Sequence, residues 1–501
     1  MIQIPPTQEV DKAADTPRSS TDIGRRIFVD CTKTYFFGGG TGIQRVVTEL
    51  ARHASSAGQE INVSCTPVVW MGYRFLEIGD HHVDRNPRAR VLGECLRRTV
   101  LTLIKFIKRH SGRPTESQGE NDQRPKRAGR GAGIFAAIAR CMFVVLSLIA
   151  LPKSWLQLRF VKFQRDDVLL LPDANWSNMI PLGALENIKK NGARLVSVIH
   201  DILPVRVPET FEPSLVSRFT NWLNWACRNL DAMICVSEAT QADLHTYFKE
   251  QQLRHTPRLG AFRLGCNPNQ RNSSPRPHIV KQLGSISGTP CCLCVGTLEP
   301  RKNHQLLLDA CEHLWESEQE FGLVIVGKIG WRCNEIMHRI AKHPQLGKNL
   351  HLFHDLNDSE LDLAYGCATV VIMPSMAEGL GLPIVEALRR SKPVIASDIP
   401  PHREAGGDNC LYFSPQKSAD LSRQIVSVLN GGRPQGFCQS NQRDLPDWQS
   451  STCELISKVD QLLPLSKKIQ ATGGHRLHTL LPKSSLTQTQ RSRATRDRIR
   501  N

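Results

Sequence analysis

The chain has 501 residues, 40% of them hydrophobic, and a net charge of +17. That hydrophobic content excludes a globally disordered chain, and the length allows two or three domains. The charge excess lies entirely in residues 85–130 and 464–501. Because neither basic stretch interleaves aromatic residues with its charges, we expect no nucleic-acid partner.

The first half predicts short strands alternating with helices. Residues 1–24 lack the apolar core of a signal peptide and predict a disordered lead. Strands are then predicted at 26–30, 61–70, 167–171, 195–199 and 233–236, with a glycine-rich turn at 37–42 and a helix from 43 to about 57. A basic and then hydrophobic insertion at 80–165 interrupts this alternation.

The hydrophobic segment 134–151 leaves three alternatives open. It is 18 residues long and contains Arg140, so it could be a marginal membrane-spanning helix, a helix lying in the membrane surface, or a helix packed against protein. The basic residues before it would suit an anionic membrane surface. We expect a cytoplasmic protein, with peripheral attachment to the inner face of the cytoplasmic membrane left open.

The second half begins a new alternation. Residues 250–288 are rich in Arg, Pro, Asn, Ser and Gly and predict an interdomain linker. Strands follow at 291–296, 322–326, 350–353, 369–373, 393–396 and 411–413, with helices between them. We therefore predict an α/β protein of two doubly wound, Rossmann-like domains that face each other across a cleft. The predicted ranges are 25–285 and 286–430, then a closing helix at 443–463 and a disordered basic tail at 464–501.

Two charged motifs follow strands of the second half. In Glu378-Gly-Leu-Gly-Leu-Pro-Ile-Val-Glu386 a glycine-containing loop opens a helix, so its backbone N–H groups could cradle a phosphate. The carboxylates could accept hydrogen bonds from sugar hydroxyls. Arg301 and Lys302 follow the first strand of this half and could neutralise a diphosphate. The alternatives are an ordinary helix start and a solvated pair of cations.

The first half offers two further positions at strand ends. His200, next to Asp201, could hydrogen-bond a sugar hydroxyl or phosphate, although a lone histidine is more often structural. The turn at 38–42 lacks the full spacing of a dinucleotide-binding fingerprint. No Asp-x-Asp occurs in the chain, and its 16 cysteines show no zinc-ligand spacing. We expect free thiols and no metal or other cofactor.

Together these motifs resemble the retaining glycosyltransferases of family 4, which have the GT-B fold. The stretch 373–387 is similar to the E-x7-E motif of that family, and the resemblance extends to 28–32, 41–46, 235–238, 392–398 and 403–404. It implies that Glu386 binds the donor ribose, Glu378 the donor sugar, and Lys302 the diphosphate. Further donor contacts are implied for His200, Gly40, Gly42, Gly296, Thr297, Gly379, Leu380 and Gly381.

The chain departs from the family at Thr297, where many members carry an arginine, so Arg301 is expected to supply the second cation. The resemblance implies transfer of a hexose from a nucleotide diphosphate sugar to a glycan or lipid-linked glycan. Bacterial polysaccharide and O-antigen mannosyltransferases look similar, which makes mannose the first donor sugar to consider. The alternatives are an inactive GT-B scaffold, a nucleotide-sugar epimerase and a phosphorylase.

Overall fold

The computed structural model describes residues 25–38, 41–79, 159–266, 274–286, 288–436 and 445–464. The predicted lead, the hydrophobic segment 134–151, Gly40 and residues 465–501 of the predicted tail lie outside these ranges. Within them, no helix has the length and apolar character needed to cross a membrane. The cysteines of these ranges are free thiols, and most are buried.

A seven-stranded sheet organises the first domain. Its strands are β1 (Arg26–Asp30), β2 (Ser64–Trp70), β3 (Phe75–Glu77), β4 (Val168–Leu171), β5 (Arg194–Ile199), β6 (Ala232–Cys235) and β7 (Arg258–Ala261). Their order is β3-β2-β1-β4-β5-β6-β7, and every pairing is parallel except β2 with β3. Ile27 and Val29 of β1 pack on one face and Phe28 on the other, so the sheet is buried on both sides.

The helices of the first domain connect these strands. They are α1 (Thr32–Phe37), α2 (Gly42–Glu60), α3 (Leu182–Lys190), α4 (Leu203–Arg206), α5 (Pro213–Asn229) and α6 (Glu238–Glu250). Helix α2 begins at the glycine-rich turn, where the side chain of Thr41 accepts a hydrogen bond from the backbone N–H of Gln44. Helix α6 begins directly after β6, with Ser237 as its N-cap.

A six-stranded parallel sheet organises the second domain. Its strands are β8 (Cys291–Val295), β9 (Gly322–Val326), β10 (Leu350–Phe353), β11 (Val370–Met373), β12 (Val394–Ser397) and β13 (Cys410–Phe413), in the order β10-β9-β8-β11-β12-β13. Its helices are α7 (Pro277–Ile286), α8 (His304–Glu316), α9 (Asn334–Ala341), α10 (Asp358–Cys367), α11 (Leu382–Arg389), α12 (Pro400–Gly406) and α13 (Ser418–Leu429). The predicted fold class of two doubly wound domains is confirmed.

The order of strands reverses once in each sheet, between β1 and β4 and between β8 and β11. In open α/β sheets, ligands bind outside the carboxyl ends of the strands at such reversals. The residues after β8 and β11 face the first domain, and the rings of Phe211 and Trp331 stack 5.7 Å apart across the boundary. The fold therefore places a site at the cleft between the domains.

The last helix, α14 (Trp448–Leu462), returns to the first domain. Its Trp448, Leu455 and Val459 are buried in a core cluster with residues of β1 and α2. Arg25, just before β1, forms an ion pair with Asp460 at 2.8 Å. The buried core contacts of α14 and the ion pair near its C-terminal end thus fix this helix to the first domain.

The region predicted as a linker, 250–288, contains two regular elements instead. Strand β7 completes the first sheet, and helix α7 follows it. Ile279, Leu283 and Ile286 of α7 pack against the second sheet, although most of α7 lies in the range predicted for the first domain. The interdomain linker predicted over 250–288 therefore does not extend over β7 and α7.

Candidate active site at the interdomain cleft

Two loops meet at the strand reversal of the second sheet. Gly296 to Asn303 follow β8, and Pro374 to Gly381 follow β11 and lead into α11. The backbone N–H of Met376 donates to the carbonyl of Arg301 at 2.8 Å, which fastens one loop to the other. The two charged motifs, which are about 75 residues apart in sequence, are therefore adjacent in space.

Glu378 lies at the centre of this arrangement, and its side chain is 8% exposed. One carboxylate oxygen is 2.8 Å from Nη1 of Arg301, and the other pairs with Nζ of Lys302 and accepts from Oγ of Ser375 at 2.7 Å. Burial alone would raise the pKa of Glu378, but Lys302 and Arg301 outweigh it and hold that pKa well below its ordinary value. Glu378 is therefore an anion that holds both cations in place.

The two cations are balanced by two carboxylates. Glu299 pairs with Nη2 of Arg301 at 2.6 Å, so Glu299 and Glu378 together match Arg301 and Lys302 in charge. Burial alone would lower the pKa of Arg301, but the charges of Glu378 and Glu299 outweigh it and raise that pKa, so the guanidinium stays charged. An anionic ligand bound here would therefore have to share cations that already have partners.

Glu386 lies one turn into α11 and is 5% exposed. One of its carboxylate oxygens pairs with Nη1 of Arg45, which belongs to α2 of the first domain, and the other accepts from the hydroxyl of Tyr365 at 2.7 Å. Burial, reinforced by the Glu386 charge, raises the pKa of Tyr365, so this hydroxyl remains a donor. The predicted ribose ligand therefore also joins the two domains.

The glycine-rich loop between the two glutamates approaches the first domain closely. A Cβ at position 379 would lie 1.9 Å from the carbonyl oxygen of His200, so only glycine fits there. Gly381 has φ of +101° as the N-cap of α11, a region that glycine adopts without strain. The side chain of Leu380 packs against the core of the first domain. Backbone rather than side chain is thus what this loop can offer to a ligand.

Gly42 and Gly296, two further predicted glycine positions, also lie at the cleft. A Cβ at Gly42 would be 3.9 Å from Leu382, which places the start of α2 against the start of α11. Gly296 lies beside the aliphatic chain of Lys302, and the Thr297 that follows it packs near Gly330. Gly40 lies outside the described residues.

His200 follows β5 and is buried. Its Nε2 is 2.8 Å from the carbonyl oxygen of Pro172, which can only accept, so Nε2 carries the proton. Burial lowers the pKa of the ring. A neutral His200 in this tautomer has Nδ1 as its hydrogen-bond acceptor, which suits a sugar hydroxyl better than a phosphate oxygen.

Several residues at the cleft were missed by the sequence analysis as site residues. They are Arg45, Ser237, Thr240, Glu299, Tyr365, Ser375, His402 and Glu404. Arg45 and Glu404 lie in stretches that resemble the family, 41–46 and 403–404, yet their partners in the other domain are far away in sequence. Tyr365 had no sequence signal, because a tyrosine on an amphipathic helix is most simply a core residue. No group of three His, Cys, Asp or Glu side chains in the described ranges could hold a metal ion.

Comparison with known proteins gives a family match for the second domain and a fold for the chain. Residues 275–443 match the family described as Glycosyl transferases group 1. This group 1 domain contains both loops of the candidate site. The solved structures of similar fold include sucrose-phosphate synthase from Thermosynechococcus elongatus, with TM-score 0.54 and 15% identity over 88% of this chain and 99% of that one. Anabaena HepE in complex with UDP-glucose has TM-score 0.53 and 16% identity over 87% and 100%. These are GT-B structures, so the likeness confirms the predicted GT-B fold.

Sequence relatives extend the likeness beyond the group 1 domain. The serotype-specific mannosyltransferase WbdA of Escherichia coli is 29% identical over 316 residues, which is 62% of this chain and 39% of WbdA. The O-antigen chain mannosyltransferase B of Escherichia coli is 25% identical over 272 residues, 53% of this chain and 69% of that protein. The chain thus spans about two fifths of the length of the first of these relatives.

Proposed function

We propose that the chain is a retaining glycosyltransferase of family 4 that transfers a hexose, mannose in the first instance, from a nucleotide diphosphate sugar to a glycan or lipid-linked glycan in cell-surface polysaccharide biosynthesis. The observation that carries this proposal is the ion-paired cluster of Glu378, Arg301 and Lys302 at the strand reversal of a group 1 domain. Two relatives named as mannosyltransferases, one of them for the O-antigen chain, support the choice of sugar and pathway class.

The cluster suits a reaction in which a diphosphate leaves. The bond from the anomeric carbon to the phosphate oxygen breaks, and the bond to the acceptor oxygen forms on the same face of the sugar. The departing phosphate oxygen takes the acceptor's proton. Lys302 and Arg301 would stabilise the negative charge that develops on that oxygen, at the N-terminus of α11, which also favours an anion. The mechanism uses no protein nucleophile and no resident metal.

Each carboxylate has a separate part in this proposal. Glu386 would accept hydrogen bonds from the ribose hydroxyls, since its carboxylate is already oriented by Tyr365 and Arg45. Glu378 would contact the donor sugar while holding the two cations in position. Nδ1 of His200 would accept a hydrogen bond from a hydroxyl of the sugar. Exclusion of water by the closely packed domains would limit hydrolysis of the donor.

The test is a donor screen combined with one variant. GDP-, UDP- and dTDP-sugars are scored by ligand-induced stabilisation and then by transfer, with and without EDTA. Lys302→Ala should lower kcat by at least about a hundredfold, because loss of one group aimed at the developing charge typically costs that much. The matched control is Lys342→Ala, an exposed lysine at the end of α9. Near-normal turnover in Lys302→Ala, or strict dependence on a metal, would contradict the mechanism.

The remaining part of the proposal is attachment of the protein to an anionic membrane surface. The charge of residues 85–130 suits an anionic lipid surface, where each well-placed cation adds about 1 kcal/mol. Flotation with anionic liposomes, with and without residues 85–151, measures this. Equal flotation of the two proteins would remove the membrane from the proposal.

A further inference from the structure

The N-terminus of α6 in the first domain holds the glycine-rich loop of the second. Oγ of Ser237 donates to the carbonyl oxygen of Gly379 at 2.6 Å, and Oγ1 of Thr240 donates to the same oxygen at 2.9 Å. Ser237 and Thr240 are only 1% and 4% exposed. Two buried hydroxyls of one domain therefore share a single carbonyl of the other.

A second contact lies on the outer side of the same helix end. The carboxylate of Glu404, on α12, accepts from the backbone N–H groups of Glu238 and Ala239 at 2.7 and 2.8 Å. A carboxylate at a helix N-terminus is favoured by the helix dipole as well as by these bonds. We call the four groups of Ser237, Thr240, Gly379 and Glu404 the interdomain clasp.

The clasp fixes the direction of the loop backbone. The described residues contain no cis peptide bond, so the N–H of Leu380 points opposite to the carbonyl of Gly379. With that carbonyl directed at Ser237 and Thr240, the Leu380 N–H is directed away from them. Glu378, which holds Arg301 and Lys302, is the residue before Gly379. A rotation of the Gly379 carbonyl would therefore disturb both the loop N–H and the charged cluster.

We propose that Ser237 and Thr240, supported by Glu404, are positioning residues for the donor loop. They touch neither sugar nor phosphate. They hold Gly379 so that the loop presents its backbone and Glu378 in one geometry, and they do so only while the two domains are together. The inference rests on the proposed function, since it assigns the loop to donor binding.

The first test removes the inner half of the clasp. Thr240→Val keeps the shape of the side chain but loses the donated hydrogen bond, and Ser237→Ala/Thr240→Val leaves the carbonyl without either hydroxyl. We expect donor KM to rise about tenfold in the double variant, because an unpaired buried carbonyl is costly enough to release the loop. The ratio of transfer to hydrolysis of the donor should also fall below that of the wild type. Thr240→Ser should restore the wild-type values.

The matched control is Thr246→Val on the same helix, whose hydroxyl donates to Ala242 within α6. It removes a threonine hydroxyl without touching the loop, so KM and the ratio of transfer to hydrolysis should stay at wild-type values. If Thr240→Val and the double variant match this control in both readouts while the wild type transfers sugar, the clasp is wrong and the proposed function stands.

The second test does not need activity. Hydrogen exchange is followed by mass spectrometry in the peptide covering residues 236–243 and in the loop 376–381. Glu404→Ala should speed exchange in both, because Glu404 is the acceptor for two amides of the first peptide. Arg403→Ala is the control on the same helix, since Arg403 pairs with Asp398. Unchanged exchange in Glu404→Ala overturns the clasp even if no donor proves to be a substrate.

Discussion

A methyl group at position 379 should separate the two domains at the candidate site. In Gly379→Ala the new Cβ would lie 1.9 Å from the carbonyl oxygen of His200, 3.0 Å from its carbonyl carbon and 3.3 Å from Cβ of Asp201. Since Cβ atoms essentially never come closer than 3.0 Å to such a group, the loop or the domain must shift by at least about 1.1 Å. The blocking atom is backbone at the end of β5 and cannot rotate away.

A shift of that size has a calculable effect on the interdomain clasp. It would lengthen the hydrogen bonds from Ser237 and Thr240, now 2.6 and 2.9 Å, to roughly 3.7 Å or more, which is beyond hydrogen-bonding distance. Overpacking of this kind costs about 1–3 kcal/mol of stability. A displacement of about 1 Å in a catalytic constellation costs roughly a hundredfold in rate. We therefore expect kcat/KM to fall about a hundredfold in a protein that still folds.

The assay is initial-rate transfer with the best donor, together with thermal unfolding. The control lies outside the site, because a glycine such as Gly42 is itself a predicted donor contact. Gly366→Ala is this control, in a helix where a Cβ meets nothing within 4 Å, and it should be neutral or stabilising by about 0.5–1 kcal/mol. If Gly379→Ala keeps kcat/KM within about threefold of Gly366→Ala, the close approach of the two domains is not needed for transfer and the reasoning fails.

Two further predictions concern buried ionisable side chains. Arg45→Ala should lower the free energy of unfolding by about 1–2 kcal/mol, because it leaves the buried Glu386 carboxylate without its cation; the loss is no larger because Arg45 is 34% exposed and solvent screens the pair. Chemical denaturation should show that this loss disappears when Glu386→Gln is also present. An equal loss in both backgrounds would refute the pairing. His402 is fully buried and burial lowers its pKa to about 4, so the unfolded chain binds more protons and stability is lost as the pH falls from 6.5 toward 4. His402→Gln should reduce the slope of unfolding free energy against pH in that window, and an unchanged slope would count against it.

The second sheet was predictable because its inner strands are buried on both faces. Such strands are continuous apolar runs, and the structure bounds them within about a residue of the predicted positions, as at β9 (Gly322–Val326) and β11 (Val370–Met373). The position of the charged motifs at strand ends then placed them at one edge of the sheet, since parallel strands share their carboxyl edge. Both inferences needed only local sequence.

The edge strand β7 shows where local sequence fails. It contains Gly260 and lies in a stretch rich in arginine and proline, which is typical of a linker. A Cβ at Gly260 would come within 3.1 Å of both Lys458 and Leu462, so this glycine provides the room for α14 to pack on the sheet. The residue that weakened the strand prediction is therefore explained by a helix about 200 residues later in the chain.

The charges at the cleft show the same limit more sharply. The sequence predicted Arg301 and Lys302 as a pair of cations available to neutralise a diphosphate. In the structure each already pairs with a carboxylate, and Glu386 pairs with a cation from the other domain. Under the proposed function, donor binding would be an exchange of partners, in which the diphosphate would take cations from Glu299 and Glu378 and the ribose would share Glu386 with Arg45. Since the exchange replaces one set of ion pairs by another, the net gain depends on geometry more than on charge. The groups that hold that geometry, including the interdomain clasp, should therefore affect donor KM as strongly as the cations themselves.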